Sequence, residues 1–427
     1  MATLRAQLAE QVERLEALLD RLPDVVAKET KTKIAELRRL LLQQRAPRLV
    51  LVGRRGSGKS SLVNALFGRE VAEVGHESAT TGTATWFTYR DASGTLEVLD
   101  TRGLQEGAAP AEADGAATPL DSILAELRDK SPDAVLFLVK AKEVDAAIQT
   151  DLELLAEICG EVTRLHRFKV PVVSIVTHCD ELEPKAVKLH QPEDEDPADL
   201  REKLERVKKV EAIIERYVRD APRLKDHHVR TIGVCTYQSW RRDGKRRADE
   251  RWRIDELVSF LVDELPQETL VEMARLTRVA TVQRAIAHRM TLAVAGACAG
   301  VAATPIPIAD IGPITGLQVS LISGIAYVTG RQVGVKAAAE FMAALGINVG
   351  TAFALREAAR ALVKFVFPGA GGVVSAAVAY AGTMGIGRAA TAYYLDDLSA
   401  EEAAQVFEKE RGSELRNDEG SRDAAQT

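Results

Sequence analysis

The stretch LVLVGRRGSGKSSLVNALFG, residues 49–68, decides the fold. It opens with leucine and valine, as a buried strand does, and closes as an apolar helix. Between the two, residues 53–60 have the G-x-x-x-x-G-K-S spacing of a phosphate-binding loop. Gly56 and Gly58 allow the backbone to turn its N–H groups inward around a phosphate, in conformations that a Cβ obstructs. We therefore expect a strand, a loop and a helix around the phosphates of a nucleotide.

The loop also predicts which side chains bind the phosphates and the metal ion. The helix that begins near Lys59 presents its positive N-terminal end to the anion. We expect Lys59 to reach the β- and γ-phosphates and the Ser60 hydroxyl to bind Mg²⁺. The residues expected around the phosphates are Gly53, Arg54, Arg55, Gly56, Ser57, Gly58, Lys59, Ser60 and Ser61.

Three later segments extend the predicted site, and the last two of them indicate which base is bound. In LEVLDTRGLQE, Asp100 ends a strand and is expected to hold Mg²⁺ through water, while the Gly103 N–H faces the γ-phosphate. In VVSIVTHCDELEP, the Asp180 carboxylate can accept hydrogen bonds from guanine N1–H and the 2-amino group. Adenine offers a bare N1 acceptor there, so Asp180 favours GTP over ATP. In IGVCTYQSW, a backbone N–H at Cys235-Thr236 is placed to meet guanine O6.

These four motifs, in this order, resemble the GTPases of the translation-factor-related class. GKSSLVNALFG resembles the Era-like and dynamin-like branches, and residues 253–266 (RIDELVSFLVDELP) resemble the helix that closes Era-like domains. The resemblance implies a Ras-like α/β fold with a mostly parallel six-stranded sheet and helices on both faces. It also implies GTP or GDP with Mg²⁺, and hydrolysis of GTP. The switch I threonine that binds Mg²⁺ is best matched by Thr81, with Thr80 and Thr83 as alternatives.

The sequence departs from the family pattern at the base-reading motif. Thr177-His178-Cys179-Asp180 stands where Asn-Lys-x-Asp is usual, so His178 replaces the lysine stem that packs over the nucleotide. This weakens the expected affinity more than the expected specificity. Cys235-Thr236 is likewise a looser match to the usual Ser-Ala.

The catalytic machinery departs from the pattern as well. Leu104, not glutamine, follows Gly103, and Gly56 stands where an asparagine holds potassium in some relatives. Arg54 or Arg55 could act as an arginine finger, in cis or across a dimer, or could be a solvated arginine near a polyanion. Arg102 is a third candidate. We therefore predict slow intrinsic hydrolysis, accelerated by self-association or by a partner.

Composition divides the 427 residues into four parts. Residues 1–45 have helical periodicity and predict a hairpin of helices. The alternation of short apolar runs with helical stretches over residues 46–266 predicts the GTPase domain, with strands at 49–52, 85–89, 96–99, 134–139, 172–177 and 229–234. Residues 267–400 are rich in Ala and Gly and predict a helical domain, and residues 401–427 read as a charged, disordered tail.

The helical part leaves two interpretations open. Small-residue helices between residues 290 and 395 can pack into a soluble bundle with the N-terminal hairpin, or contact a membrane. The segment PIPIADIGPITGLQVSLISGIAYVTG resembles a bacterial domain of unknown function found behind Era-like GTPase domains. Asp310 and Gln318 lie within it, and helix capping or bundle hydrogen bonds are their expected roles.

The net charge and the cysteines limit which partners and which compartment we expect. A net charge of −6 gives no global basic field, so we expect no nucleic acid partner. Four scattered cysteines indicate a reducing, cytoplasmic compartment, at the inner face of the cell membrane if the helices contact it. The alternative functions are a non-hydrolytic nucleotide-binding scaffold, which recruits a partner or membrane through its helical tail, and a P-loop ATPase.

Overall fold

The computed structural model describes two units. The described residues are 13, 16–17, 20, 24–72, 85–90, 93–100, 119–144, 148–303, 311–331, 333–346 and 371–426. One unit comprises residues 46–277, and the other combines 1–45 with 278–427. Several predicted positions lie outside the described residues, namely Thr80, Thr81, Thr83, Arg102, Gly103, Leu104 and Asp310.

Six apolar runs of the first unit form one sheet. Its strands are β1 (Arg48–Val52), β2 (Trp86–Arg90), β3 (Thr95–Asp100), β4 (Ala134–Lys140), β5 (Val172–Thr177) and β6 (His228–Gly233). Their order is β2-β3-β1-β4-β5-β6, with β2 antiparallel to β3 and the other pairs parallel. Every residue of β5 is buried, because a parallel sheet is covered on both faces. The predicted sheet is confirmed, and each strand begins and ends within one residue of its predicted run.

Helices connect the strands and build the second unit. Those of the described residues are α1 (Asp24–Leu41), α2 (Lys59–Phe67), α3 (Pro119–Asp129), α4 (Ile148–His166), α5 (Pro197–Asp220), α6 (Ile254–Glu264), α7 (Gln267–Thr277), α8 (Ala280–Ala303), α9 (Ile311–Val328), α10 (Val335–Ala344), α11 (Gly371–Tyr394) and α12 (Ala400–Gln426). The chain leaves β1 towards β3 on one side, then crosses to β4, β5 and β6 on the other. Right-handed crossovers therefore place α2 on one face and α3 to α5 on the opposite face. The reversal opens a crevice at the carboxyl end of β1, where ligands of such sheets bind.

A short hairpin follows the sheet and was not predicted from the sequence. It consists of β7 (Gln238–Trp240) paired with β8 (Arg246–Asp249). Arg251 fixes its base, because the guanidinium binds both carboxylate oxygens of Asp249 and donates to the Ala65 carbonyl at 3.0 Å. The hairpin is thus attached to the C-terminal end of α2, the helix that begins at the phosphate loop.

The second unit is built of helices from both chain ends, as predicted. Helix α8 packs against α1, α9 and α11, and α11 packs against α12. Glycines allow close approach, since Gly387 faces Thr291 and a Cβ on Gly385 would lie 2.8 Å from the Phe407 ring. Gln318 and Thr383 satisfy each other in this interior through a 3.0 Å hydrogen bond.

The prediction of a disordered tail at residues 401–427 was wrong, because residues 400–426 form α12. Ser399 and Glu402 form a capping box. The Glu402 N–H donates to Ser399 Oγ at 3.2 Å, and Glu402 Oε2 accepts from the Ser399 N–H at 2.8 Å. Phe407 and Ala403 are buried, so the charged helix still has an apolar face that packs.

One described helix is long and apolar enough to cross a membrane. This is α8, whose most apolar window has a mean hydropathy of 1.4 and is 61% buried within the protein. Length and composition alone make it a candidate, and the core helix of a bundle passes the same test.

Candidate functional site

The phosphate loop adopts the conformation that its glycines predict. Gly56 and Gly58 have φ values of 74° and 92°, in the left-handed region that favours glycine. Helix α2 starts at the loop, since the Leu62 N–H donates to the Gly58 carbonyl at 2.8 Å. Helix geometry points the amides of residues 59–61 out of the N-terminal end of the helix. With the helix dipole, these amides form an anion-binding end.

Two side chains complete the inside of the loop. Lys59 is buried, and its Nζ donates to the carbonyls of Gly53 at 2.5 Å and Arg54 at 3.1 Å. These bonds hold the ammonium across the loop, in the place expected for a phosphate ligand. Ser57 is also buried, and its Oγ has no hydrogen-bond partner among the described residues. A phosphate oxygen would satisfy that hydroxyl.

The predicted metal ligands that the structure describes are Ser60 and Asp100. Asp100 ends β3, is buried, and lies in register beside Leu51 of β1, so its carboxylate sits at the strand ends that carry the loop. Hydroxyl and carboxylate oxygens are the hard donors that Mg²⁺ prefers. No cluster of three His, Cys, Asp or Glu occurs in the described parts of the chain. A nucleotide-bound Mg²⁺ needs only one or two protein ligands besides phosphate oxygens, so the donors fit.

The end of β5 contacts the phosphate loop directly. Thr177 Oγ1 donates to the Ser57 carbonyl at 2.9 Å, across 120 residues of sequence. His178 follows in a left-handed conformation, with φ of 57°. A Cβ on Gly58 would lie 3.6 Å from the His178 ring, so the ring occupies the border of the loop. Its role beside the nucleotide stays a prediction.

Asp180, two residues after His178, lies close to Cys235, which follows β6. The Cys179 N–H donates to the Val234 carbonyl at 3.5 Å, which joins the two segments. Burial, followed by the negative charge of Asp180, raises the pKa of Cys235 well above its usual range. Two backbone hydrogen bonds between Cys235 and Trp252 fix the Cys235 backbone. Thr236 beside it is buried. The structure therefore brings the two segments that are predicted to read the base together at the carboxyl ends of β5 and β6.

A lysine that sequence reasoning missed holds the base-reading segment. The Lys203 side chain on α5 is fully buried, and its Nζ donates to the carbonyls of Asp180 at 2.7 Å, Pro184 at 3.2 Å and Val187 at 2.7 Å. Burial lowers the pKa of Lys203, although the Asp180 charge opposes the change. The sequence did carry a signal, because Lys203 falls on the buried stripe of α5 with Val207.

A second missed residue fixes the segment that leads towards the predicted switch. Asn64 on α2 is buried, and its Oδ1 accepts from the N–H groups of Val71 at 2.8 Å and Ala72 at 2.7 Å. Its Nδ2 donates to the Ala72 carbonyl at 2.8 Å. A buried amide in the apolar stretch SLVNALF was the available signal.

The two loop arginines have different surroundings. Arg54 Nε donates to Asp151 Oδ2 at 2.9 Å, and Asp151 is buried at the start of α4. The expectation of Arg54 as an arginine finger therefore needs correction, because a buried carboxylate already neutralises this guanidinium. Arg55 is exposed and remains the finger candidate within the loop.

Comparison with known proteins agrees with this geometry. Residues 48–177 match the family described as 50S ribosome-binding GTPase. The match contains the phosphate loop, β3 with Asp100, and the whole of β5, on the strand order described above. Residues 46–277 therefore have the Ras-like fold of P-loop GTPase domains. The predicted fold class is confirmed for this GTPase domain.

The individual relatives cover only parts of the chain. The tRNA modification GTPase MnmE of Paracidovorax citrulli (strain AAC00-1) is 35% identical over 140 residues, which are 33% of this chain and 27% of MnmE. Thus the chain spans about a quarter of that relative. Among solved structures, a dimerization-deficient mutant of Toc33 from Arabidopsis thaliana is 14% identical, with 62% of this chain and 94% of Toc33 covered and a TM-score of 0.33. Era of Aquifex aeolicus bound to GDP·AlF4⁻ is 19% identical, with 64% and 70% covered and a TM-score of 0.33.

Proposed function

We propose that the chain binds GTP, hydrolyses it to GDP and phosphate with Mg²⁺, and acts as a nucleotide-dependent switch. One observation carries the proposal. The segment that holds Asp180 packs through Thr177 and His178 against the Gly58 turn of the phosphate loop. A single nucleotide can therefore place its phosphates in the loop and its base beside the Asp180 carboxylate.

The proposed roles follow from the groups at the site. The amides of residues 59–61 and the Lys59 ammonium bind the β- and γ-phosphates. Asp180 accepts two hydrogen bonds from guanine, and the backbone N–H of Thr236 donates to guanine O6. Mg²⁺, held by Ser60, Asp100 and Thr81, supplies positive charge to the phosphate oxygens. The Gly103 N–H stays the predicted sensor of the γ-phosphate.

We propose slow intrinsic turnover, accelerated when two copies associate across the nucleotide site. Arg54 is paired with a buried Asp151, and no glutamine follows Gly103. Charge that develops on the transferred phosphate must then be stabilised by Arg55, in cis or from a second copy, or by another partner. A missing arginine finger lowers the rate by about 10³- to 10⁵-fold.

Three measurements test the proposal. In single turnover with excess protein, GTP should decay to GDP and phosphate, and stable bound GTP would instead support the non-hydrolytic scaffold. Turnover per molecule should rise with protein concentration, and a fast rate that dilution leaves unchanged contradicts the self-association. ATP should fail to displace GDP, because Asp180 repels adenine N1; equal displacement would support a P-loop ATPase.

The compartment and the membrane contact are also proposals. The four cysteines are unbridged and buried, which supports a reducing cytoplasm. Membrane contact through residues 290–395 stays a prediction. Flotation of the full chain with anionic liposomes, with a liposome-free sample as control, tests it.

A further inference from the structure

The hairpin beyond Thr236 carries a dense positive charge on an acidic protein. Five of the seven residues 241–247 (RRDGKRR) are Arg or Lys and one is Asp, while the chain has a net charge of −6. All seven are exposed. We call residues 241–247 the basic tip. The net charge of the whole chain does not reveal this local positive charge, although the run RRDGKRR in the sequence does.

The cations of the basic tip are largely without counter-ions. Arg246 pairs with Asp249 at 2.7 Å, and Lys245 lies 3.9 Å from Asp243. Arg241, Arg242 and Arg247 form no ion pair with any residue that the structure describes. Like charges so close together repel one another. The chain is acidic as a whole, so carboxylates to pair with these cations were available elsewhere in its sequence. An external polyanion would relieve this repulsion.

The tip is ordered before any ligand binds. The Arg241 N–H donates to the Lys245 carbonyl at 2.8 Å, and the Gly244 N–H donates to the Arg241 carbonyl at 2.9 Å. Gly244 has φ of 76°, which closes the turn, and Arg251 anchors the base of the hairpin to α2. A turn whose backbone is already fixed loses little backbone entropy on binding, and guanidinium binds phosphate in a bidentate manner.

An exposed aromatic ring lies at the base of the hairpin. The Tyr237 residue is 50% exposed, and its backbone carbonyl accepts from the Glu250 N–H at 3.0 Å, which fixes its position. Unpaired bases stack on such rings, whereas paired bases inside a duplex cannot. The tip itself carries no apolar side chain that could enter a bilayer.

From these observations we propose that the basic tip and Tyr237 bind single-stranded nucleic acid. The guanidinium groups contact the phosphate backbone, and Tyr237 stacks on a base. The basic tip lies outside the predicted nucleotide-binding loops, and the inference does not depend on GTP hydrolysis. RNA and DNA share the recognised chemistry, and the experiment distinguishes them.

The test measures binding of the full chain to mixed-sequence single-stranded RNA and to the DNA of the same sequence, by fluorescence anisotropy. With four phosphate contacts, log affinity should fall with log salt at a slope of about −2.8, a loss of about 50-fold over a fourfold rise in salt. Binding to the RNA, to the DNA or to both supports the proposal. Preference for anionic vesicles or for duplex over single strands contradicts it.

Matched variants locate the contact. Replacing Arg241, Arg242 and Arg247 by Gln should reduce the slope to about −0.7. Tyr237→Ala should weaken binding by about tenfold at unchanged slope. The control replaces three exposed cations of α5 by Gln, namely Arg201, Lys208 and Lys209, with the same change in net charge.

The control variant should bind strands as the wild type does. GDP affinity of both triple variants should stay at the wild-type value, which separates this test from that of the proposed function. An equal loss of strand binding in both triple variants, or a wild-type slope in the hairpin variant, overturns the assignment.

Discussion

The buried lysine of α5 yields the sharpest structural prediction. Lys203→Met keeps an unbranched side chain that is one atom shorter, and it removes the ammonium that three carbonyls share. Three hydrogen bonds from a charged donor at ~1.5 kcal/mol each amount to ~4.5 kcal/mol, and removal of a buried charge returns part of this. We therefore expect the native conformation of the segment that holds Asp180 to be destabilised by a net ~2 kcal/mol. If nucleotide binding must restore that order, affinity for GDP falls by about 30-fold.

The assay combines affinity with base discrimination. Titration with a fluorescent GDP analogue gives the loss of affinity. The ratio of GDP to IDP binding, where inosine lacks the 2-amino group, should fall as well, because a displaced Asp180 no longer reads that group. A merely structural role of Lys203 would lower stability and leave this ratio unchanged.

Stability of the GTPase domain can be followed separately. Trp86, Trp240 and Trp252 are the three tryptophans of the chain, and all lie within residues 46–277. Their fluorescence in urea therefore reports on this domain alone. Lys209→Met, an exposed change on the same helix, is the control and should match the wild type. Wild-type GDP affinity and GDP/IDP ratio in Lys203→Met would refute the reasoning.

Three further predictions rest on other parts of the domain. Gly58→Ala should weaken GDP binding by about tenfold in equilibrium titration, because its left-handed backbone is strained by ~1 kcal/mol or more with a side chain; unchanged affinity contradicts this. Burial would raise the pKa of Glu97, but hydrogen bonds from Arg48 and Lys130 lower it below 4.5, so its contribution is present above pH 4.5 and is lost as pH falls through the lowered value. The difference in urea midpoint between wild type and Glu97→Gln should therefore shrink below pH 4.5, and a constant difference would argue against it. Burial raises the pKa of Cys179 to about 12, and all four cysteines are buried, so the native protein should resist a thiol reagent at pH 8 and react fully in urea; rapid native labelling contradicts the packing.

Local pattern was sufficient for the sheet and the phosphate loop. A strand, glycines at fixed spacing and a helix are adjacent in sequence, so residues 49–68 predict their own geometry. Asp100 and Asp180 follow apolar runs, and the ends of parallel strands meet at one edge. The sequence is therefore sufficient to predict which segments converge.

Long-range pairing and polar secondary structure escaped that reasoning. Asp151 lies 97 residues from Arg54, and no local pattern reveals their ion pair. The strands of the hairpin are short and polar, so they lack the alternation that predicts a strand. In α12 the charge density was read as disorder, although the Ser399-x-x-Glu402 spacing and Phe407 indicated a capped, packed helix.

The central claim is that the Asp180 carboxylate reads the guanine edge of a nucleotide held by the phosphate loop. Asp180→Asn tests it most directly, because an amide can donate to the 2-oxo group of xanthine where the carboxylate accepted from the 2-amino group of guanine. Measured by competition against a fluorescent nucleotide, the variant should lose GDP and gain XDP affinity, each by ~10²-fold or more, with wild-type urea stability. Unchanged preference for GDP in a folded Asp180→Asn protein would contradict the account.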